Sequence, residues 1–341
     1  MNATQEPPRQ EKGHRWWAFA LALLLLTLAC WRAPAPLPSP TPPITAAGVA
    51  APSPTRLPPV TPTATATLHL PAPTSTPAAS VRFAVIGDFG LAGPAAEAVA
   101  GLVASWKPDF IVTVGDNNYP SGSEQTFDQN VMAYYGEYVR AERFFPALGN
   151  HDWGNYTVET LPFPNFFPYL PGNKRYYDLV VGPVHIFVLD SDPREPDGVT
   201  PESKQGQWLR EGLRTSTAAW QVVVFHHAPY SSGRHGNVQW MQWPFAEWGA
   251  DLVLSGHDHT YERIHRDGIV YIVNGLGGAP RYDFRHQAEG SVVKYNAQHG
   301  ALLVVATAAD ISGTFFTVDG ELVDQFTRAR SFLPLVLATA P

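Results

Sequence analysis

The chain has one cysteine, Cys30, and three methionines among 341 residues. A lone thiol excludes an intrachain disulfide and a thiolate metal cluster, so metal ligands must come from His, Asp, Asn, Glu or Tyr. Nothing supports a disulfide-linked oligomer. Charge is sparse as well: 16% of residues are charged and the formal net charge is -7. Without a Lys/Arg cluster long enough for a nucleic-acid footprint, that partner class is not expected. What the chain has in quantity is apolar and kinked material, with 45% hydrophobic residues, ten tryptophans and 33 unevenly spread prolines. Its length suffices for at least one large core.

The polar residues 1–15 carry Arg9, Lys12 and Arg15 and precede the uncharged run WWAFALALLLLTLACW, Trp16 to Trp31. As a helix that run would span about 24 Å, short of the roughly 30 Å hydrocarbon core. It fits a secretory h-region better than a freestanding span. TLAC, ending in Cys30, resembles a bacterial lipobox, although Thr27 stands where leucine is preferred. Residues 1–32 are therefore read as a signal or anchor segment that takes the chain out of the cytoplasm. Cell-surface anchoring, lipidation and secretion all remain open, and membrane contact is expected through this segment alone. Residues 33–80 are dominated by Pro, Thr, Ala and Ser. Such a stretch cannot bury enough apolar surface to offset its ordering entropy, so a disordered stalk is expected. The tail 331–341 carries no readable signal.

Between them, residues 81–330 read as one folded domain. VRFAVI, DFIVTV, YYDLVV, VHIFVL, WQVVVF and ADLVLS are β-branched, apolar strands. PAAEAVAGLVASW, TFDQNVMAYYGEYVRAE, QGQWLREGL and the QWMQWPFAEW region have helical spacing. The alternation predicts a layered α/β domain with helices covering sheet faces. The part from YIVNGLGG to FFTVDGELVDQFTR predicts a second, more antiparallel sheet.

The stretch LSGHDHTYER places His257 and His259 one residue apart. In an extended segment both imidazoles share a face, and Asp258 points away. Other strand ends are similarly furnished, with Asp88 in GDFG, Asp116 and Tyr119 in GDNNY, Asn150 and His151 in GNHD, and His226 and His227 in FHHAPY. Five polar strand ends in sequence are hard to explain as simple turns. Oxygen donors mixed with imidazole suit iron, manganese or zinc, and their number suits two ions.

In order, DFG, GDNNY, GNHD, VVFH and GHDH resemble the five blocks of the calcineurin-like metallophosphoesterases, and within them the purple acid phosphatases of compact, single-domain type. The resemblance covers Val81 to about Arg328 and implies a four-layer α/β/β/α sandwich with two packed mixed sheets. By it, a first metal takes Asp88, Asp116, Tyr119 and His259, and a second takes Asp116, Asn150, His226 and His257. Many relatives carry a histidine where this chain has Gly90; Tyr119 stands in for it, and a tyrosinate implies Fe(3+) in the first site. The second ion would be Fe(2+), Zn(2+) or Mn(2+). His226 is preferred to His227 because VxxH fits Val223 to His226, and because His235 of RHG lies nine residues on, where mammalian-type relatives have a histidine followed by glycine.

The implied activity is hydrolysis of a small phosphate monoester by a metal-bound hydroxide, with His235 as general acid and His151 as a donor to the phosphate. A phosphodiesterase or nucleotide-cleaving enzyme on the same site is the alternative. A non-catalytic cell-surface binding protein is a third reading, one that predicts lost ligands. Asp152 and Asp258 are expected to orient loops or histidines, and Asp190 and Asp192 to form a turn. The segment WGNYTVETLPFPNFFPYLPG either walls the cleft or packs as a loop.

Overall fold

The computed structural model describes residues 80–330. The signal or anchor segment, the stalk before Ser80 and the tail 331–341 lie outside the described residues. Among the described residues, no helix is long and apolar enough to cross a membrane.

The strands in chain order are β1 (Val81–Ile86), β2 (Phe110–Thr113), β3 (Phe144–Pro146), β4 (Tyr177–Val181), β5 (Val184–Val188), β6 (Trp220–His227) and β7 (Leu252–Gly256). They continue with β8 (Tyr261–Arg266), β9 (Ile269–Asn274), β10 (Ser291–Tyr295), β11 (Gly300–Ala306), β12 (Asp310–Thr317) and β13 (Leu322–Ala329). Two sheets result, ordered β13-β12-β11-β1-β2-β3 and β10-β8-β9-β7-β6-β5-β4. Both are mixed. β1, β2 and β3 are parallel, while β11 pairs with β1 antiparallel. In the other sheet β5, β6, β7 and β9 are parallel, with β4 and β8 antiparallel beside them.

Side-chain alternation builds the layers. β6 is buried along its whole length: Val222 and Val224 join a core shared with Phe83, Val85 and Leu302 of the first sheet. Val223 and Phe225 join a separate core with Leu209 and Leu213 of the helix Lys204–Thr215. A strand covered on both faces needs apolar residues at every position, which is what VVVF supplies. Ser203 starts that helix by accepting the Gly206 amide at 3.1 Å. On the far side, the helix Pro94–Trp106 buries Ala96, Val99 and Val103 at helical spacing against the first sheet. Helix, sheet, sheet and helix make the four-layer α/β/β/α sandwich.

Two expectations are corrected. QWMQWPFAEW is not one helix but a 3-10 turn, Gln239–Met241, and a single helical turn, Phe245–Trp248. Pro244 lacks an amide hydrogen and pushes Trp243 out of the helical region, so the run breaks there. Nor do the C-terminal strands form a sheet of their own. β9 enters the sheet that carries the histidines, whereas β11 to β13 extend the sheet of β1, where Val85 pairs with Leu302.

Candidate metal centre

Asp88, Asp116 and Asn150 follow the parallel strands β1, β2 and β3; His226 lies near the end of β6, and His257 follows β7. All five strands deliver their carboxyl ends to one place, as parallel strands in open α/β sheets do. Three of these residues leave their strands in the left-handed region, Asp88 and Asp116 at φ 54° and His257 at φ 70°. That conformation costs a non-glycine residue about 1–2 kcal/mol and persists only where surroundings enforce it. Here the Asp88 amide donates to the Gly115 carbonyl at 3.0 Å, and the His151 amide to Asp116 Oδ1 at 2.9 Å.

The side chains gather in two groups that share Asp116. In one, the Tyr119 hydroxyl donates to Asp116 Oδ2 at 2.9 Å and lies 3.3 Å from His259 Nε2. His259 Nε2 is 3.4 Å from Asp88 Oδ1. Donor atoms of Asp88, Asp116 and His259 all fall within 4.8 Å of one another. In the other group, His226 Nε2 lies 3.4 Å from Asp116 Oδ1, 3.1 Å from Asn150 Oδ1 and 3.2 Å from His257 Nδ1. The two histidines of GHDH therefore serve different groups. The extended reading of that segment is corrected: β7 stops at Gly256, and the left-handed turn at His257 separates the two imidazoles.

These contacts fit cations. His226 Nδ1–H donates to the Val114 carbonyl at 2.8 Å, and His259 Nδ1–H to the Pro280 carbonyl at 2.6 Å. Such bonds leave each Nε2 with a lone pair aimed at other acceptors, an arrangement that a metal ion resolves. Asp88 is 0% and Asp116 2% exposed, and among the described residues neither pairs with a Lys or Arg. Among the described residues Asp88 Oδ1 has no hydrogen-bond partner. Buried carboxylates of this kind demand positive charge.

The protonation pattern says the same. Burial opposes charging of His226, but Asp116 and Asp88 outweigh it and raise its pKa; His259 is raised likewise, against burial, by Asp88. Burial and the neighbouring imidazoles push His257 well below its usual value. Burial, then Asp116 and Asp88, raise the Tyr119 phenol well above 10. A cation held beside the phenol would oppose that last effect, since its charge would stabilise the phenolate.

Around the two groups sit the other predicted residues. The His151 ring lies 4.3 Å from the Tyr119 ring, and its Nε2 is 4.0 Å from Asp116 Oδ2. The His235 ring stacks on His257 at 4.0 Å. Its loop is tied down by two buried carboxylates. Asp258 accepts the His235 amide at 2.8 Å and the Ser231 hydroxyl at 2.6 Å, and Glu262 accepts the Ser232 amide and hydroxyl, each at 2.6 Å. Asp152 receives the Gly149 amide at 2.8 Å and Asn117 Nδ2 at 2.8 Å; burial and Asp116 push its pKa up to about 7. His227 turns away from Asp116, with Nδ1 2.9 Å from Ser191 Oγ.

Of the aromatic segment after Asn150, Trp153, Leu161, Phe163, Phe167 and Leu170 are buried in the main core. Asp192 caps its turn by accepting the Arg194 amide at 3.0 Å. Sequence reasoning missed Tyr282. Its ring stacks on His259 at 4.0 Å and 10°, and meets His235 at 5.6 Å. It stands in a loop after β9 with no spacing to mark it.

The model of the family described as calcineurin-like phosphoesterase matches residues 81–261, more than half of the chain. Purple acid phosphatase 4 of Arabidopsis thaliana is 25% identical over 297 residues, covering 77% of this chain and 86% of its own. Tartrate-resistant acid phosphatase type 5 of Rattus norvegicus is 26% identical over 262 residues, covering 64% and 79%. Among solved structures, the purple acid phosphatase PPD1 from yellow lupin (Lupinus luteus) seeds has the same fold, with a TM-score of 0.60, 17% identity, and coverage of 75% of this chain and 55% of that one. GAP50, the anchor in the inner membrane complex of Plasmodium, gives a TM-score of 0.58 at 18% identity, covering 74% and 90%. With the fold, the two groups of donors and this match in hand, the chain belongs to the calcineurin-like phosphoesterase family and is a metal-dependent phosphoester hydrolase.

Proposed function

We propose that the chain is an acid-phosphatase-like enzyme that hydrolyses phosphate monoesters at a pair of metal ions. Asp88, Asp116, Tyr119 and His259 would hold the first, and Asp116, Asn150, His226 and His257 the second. The observation that carries this reading is Asp116, whose Oδ2 meets Tyr119 at 2.9 Å while Oδ1 lies 3.4 Å from His226. When bound, two ions neutralise phosphate oxygens and activate the attacking water.

The chain's own residues do the rest. As an imidazolium, His151 gives its Nδ1–H to the Pro120 carbonyl at 2.7 Å and can donate Nε2–H, which faces the centre 4.0 Å from Asp116 Oδ2, to a phosphate oxygen. His235, held against His257, is placed to protonate the leaving alkoxide. Tyr119, in the position that Gly90 opens for it, favours Fe(3+) in the first site, with Fe(2+), Zn(2+) or Mn(2+) in the second. Export, ending in surface anchoring through residues 1–32, in lipidation or in secretion, is part of the proposal and rests on the sequence of that segment.

The test is metal analysis with a visible spectrum, together with rates on p-nitrophenyl phosphate and its bis-ester. Two ions per chain, a broad visible band and a preference for the monoester are expected. A metal-replete protein that leaves the monoester intact, or turns over the diester faster, contradicts the monoesterase assignment.

A further inference from the structure

The second histidine of FHHAPY takes no part in either group of donors. Successive side chains of a strand alternate, so His227 leaves β6 on the face of Val223 and Phe225, opposite to His226. It is 5% exposed. Its ring lies 4.6 Å from the His257 ring, 5.0 Å from that of His226 and 5.7 Å from that of Trp240. Ser191 fixes the ring and is itself fixed. The Ser191 carbonyl accepts the Trp240 indole N–H at 3.0 Å. The preceding Asp190 is bonded through its backbone to buried Gln205, amide to Oε1 at 2.8 Å and carbonyl to Nε2 at 2.9 Å. The Ser191 hydroxyl oxygen accepts the His227 amide at 2.9 Å and stands 2.9 Å from His227 Nδ1. Among the described residues that hydroxyl has no other acceptor for its hydrogen, so it donates to Nδ1. The proton of the neutral ring is thereby placed on Nε2, at the ring's tip. Among the described residues Nε2 makes no hydrogen bond, yet it is not one of the sealed atoms left without a partner, so the tip opens to solvent.

We infer that His227 is a further catalytic residue, whose Nε2–H donates to a phosphate oxygen on the side of His226 and His257. The inference rests on the phosphatase reading of the centre and adds one donor to it. His151 stands beside Tyr119 in the first group, and His227 beside His226 and His257 in the second. A phosphate lying over the centre therefore meets an imidazole N–H from either side. The two donors differ in kind. His151 must be charged to donate from both of its nitrogens, whereas Ser191 makes His227 a donor in its neutral form. A donor set in place before substrate arrives needs no reorganisation. It stabilises charge on the equatorial oxygens of the phosphoryl group as that group is transferred.

Two substitutions divide the ring. His227→Asn keeps a polar atom near the place of Nδ1, within reach of Ser191, and loses the tip; His227→Gln keeps an N–H near the place of Nε2. In His227→Asn, kcat/KM for p-nitrophenyl phosphate is expected to fall by about tenfold or more, as loss of one transition-state donor does. His227→Gln should recover most of that loss. Calorimetric binding of orthophosphate should weaken in the same order, and both variants should keep the wild-type metal content. Nitrogen-15 spectra of the metal-free wild type should show His227 protonated at Nε2. A His227→Asn enzyme as fast as wild type, equal losses in the two variants, metal lost from either, or a proton on Nδ1 overturns the donor and leaves the phosphatase reading intact. A wild type inactive on the ester overturns the two together.

Discussion

The Tyr119 amide donates to the Gly90 carbonyl at 2.8 Å, so the loop after β1 and the loop after β2 touch through backbone alone. A Cβ at position 90 would collide with the backbone of Asn117. Gly90 and Tyr119 are thus one feature: the missing side chain at 90 is the space in which the tyrosine's loop sits. Gly90→Ala should push the two loops apart, costing about 1–3 kcal/mol as overpacking against backbone does. It should also weaken the visible band expected from Tyr119 on iron. Thermal unfolding and the absorption spectrum of the variant check both, and Tyr119→Phe should remove the band without the loss of stability.

Asp116 serves both groups of donors, so Asp116→Asn should affect both ions. Metal analysis should find fewer than one ion per chain, with activity lost. Chelation should lower the Tm of the wild type, because a ligand at 100 times its Kd stabilises by about 2.7 kcal/mol. The same chelator should leave the Tm of Asp116→Asn unchanged.

Asp258 acts on His235 through the backbone rather than on substrate. Asp258→Asn keeps one acceptor oxygen, so kcat should fall about tenfold, whereas His235→Asn should cost about a hundredfold, the lower end for loss of a general acid. Metal content should stay at the wild-type value in both. A merely structural role for Asp258 would lower Tm and leave the pH profile of kcat where it was; a positioning role moves the limb assigned to His235.

Asp190 offers a test away from the ligands. It is buried, accepts Trp153 Nε1–H at 2.9 Å and the Asp192 amide at 3.0 Å, and burial followed by Glu195 raises its pKa well above the usual carboxyl value. A pKa raised in the folded state means that the folded chain holds a proton which the unfolded chain releases near pH 4. The group's contribution is complete below that pH and is lost as pH rises towards the folded value. Asn mimics the neutral acid, so Asp190→Asn should match the wild type at pH 4 and become progressively more stable than it towards pH 8. A stability difference that stays flat from pH 4 to pH 8 would count against this assignment.

Much of this was legible in the sequence, because each candidate ligand lies where an apolar strand stops. The strands β1, β2, β6 and β7 are mostly apolar, and parallel order brings their ends together. Partition of the C-terminal strands was not legible: β9 and β11 are equally apolar, and only the long-range pairings of β11 with β1 and β9 with β7 separate them. Tyr282 was hidden for a similar reason. It reaches His259 from a loop after β9, held by the Tyr282 amide to the His259 carbonyl at 3.0 Å, and no periodicity announces such a bond. The turn at His257 was misread because HDH fits a strand period of two, and the carboxylate beside Gly256 that fixes the turn, Asp88, is distant in sequence.

The most direct measurement is an anomalous-difference map from crystals of the metal-replete protein. Two peaks about 3.5–4 Å apart are expected, as in other two-metal sites, one beside Tyr119 and His259, the other beside Asn150, His226 and His257, with Asp116 touching both. A single peak, or two peaks with Asp116 bound to only one, would contradict the shared-carboxylate centre.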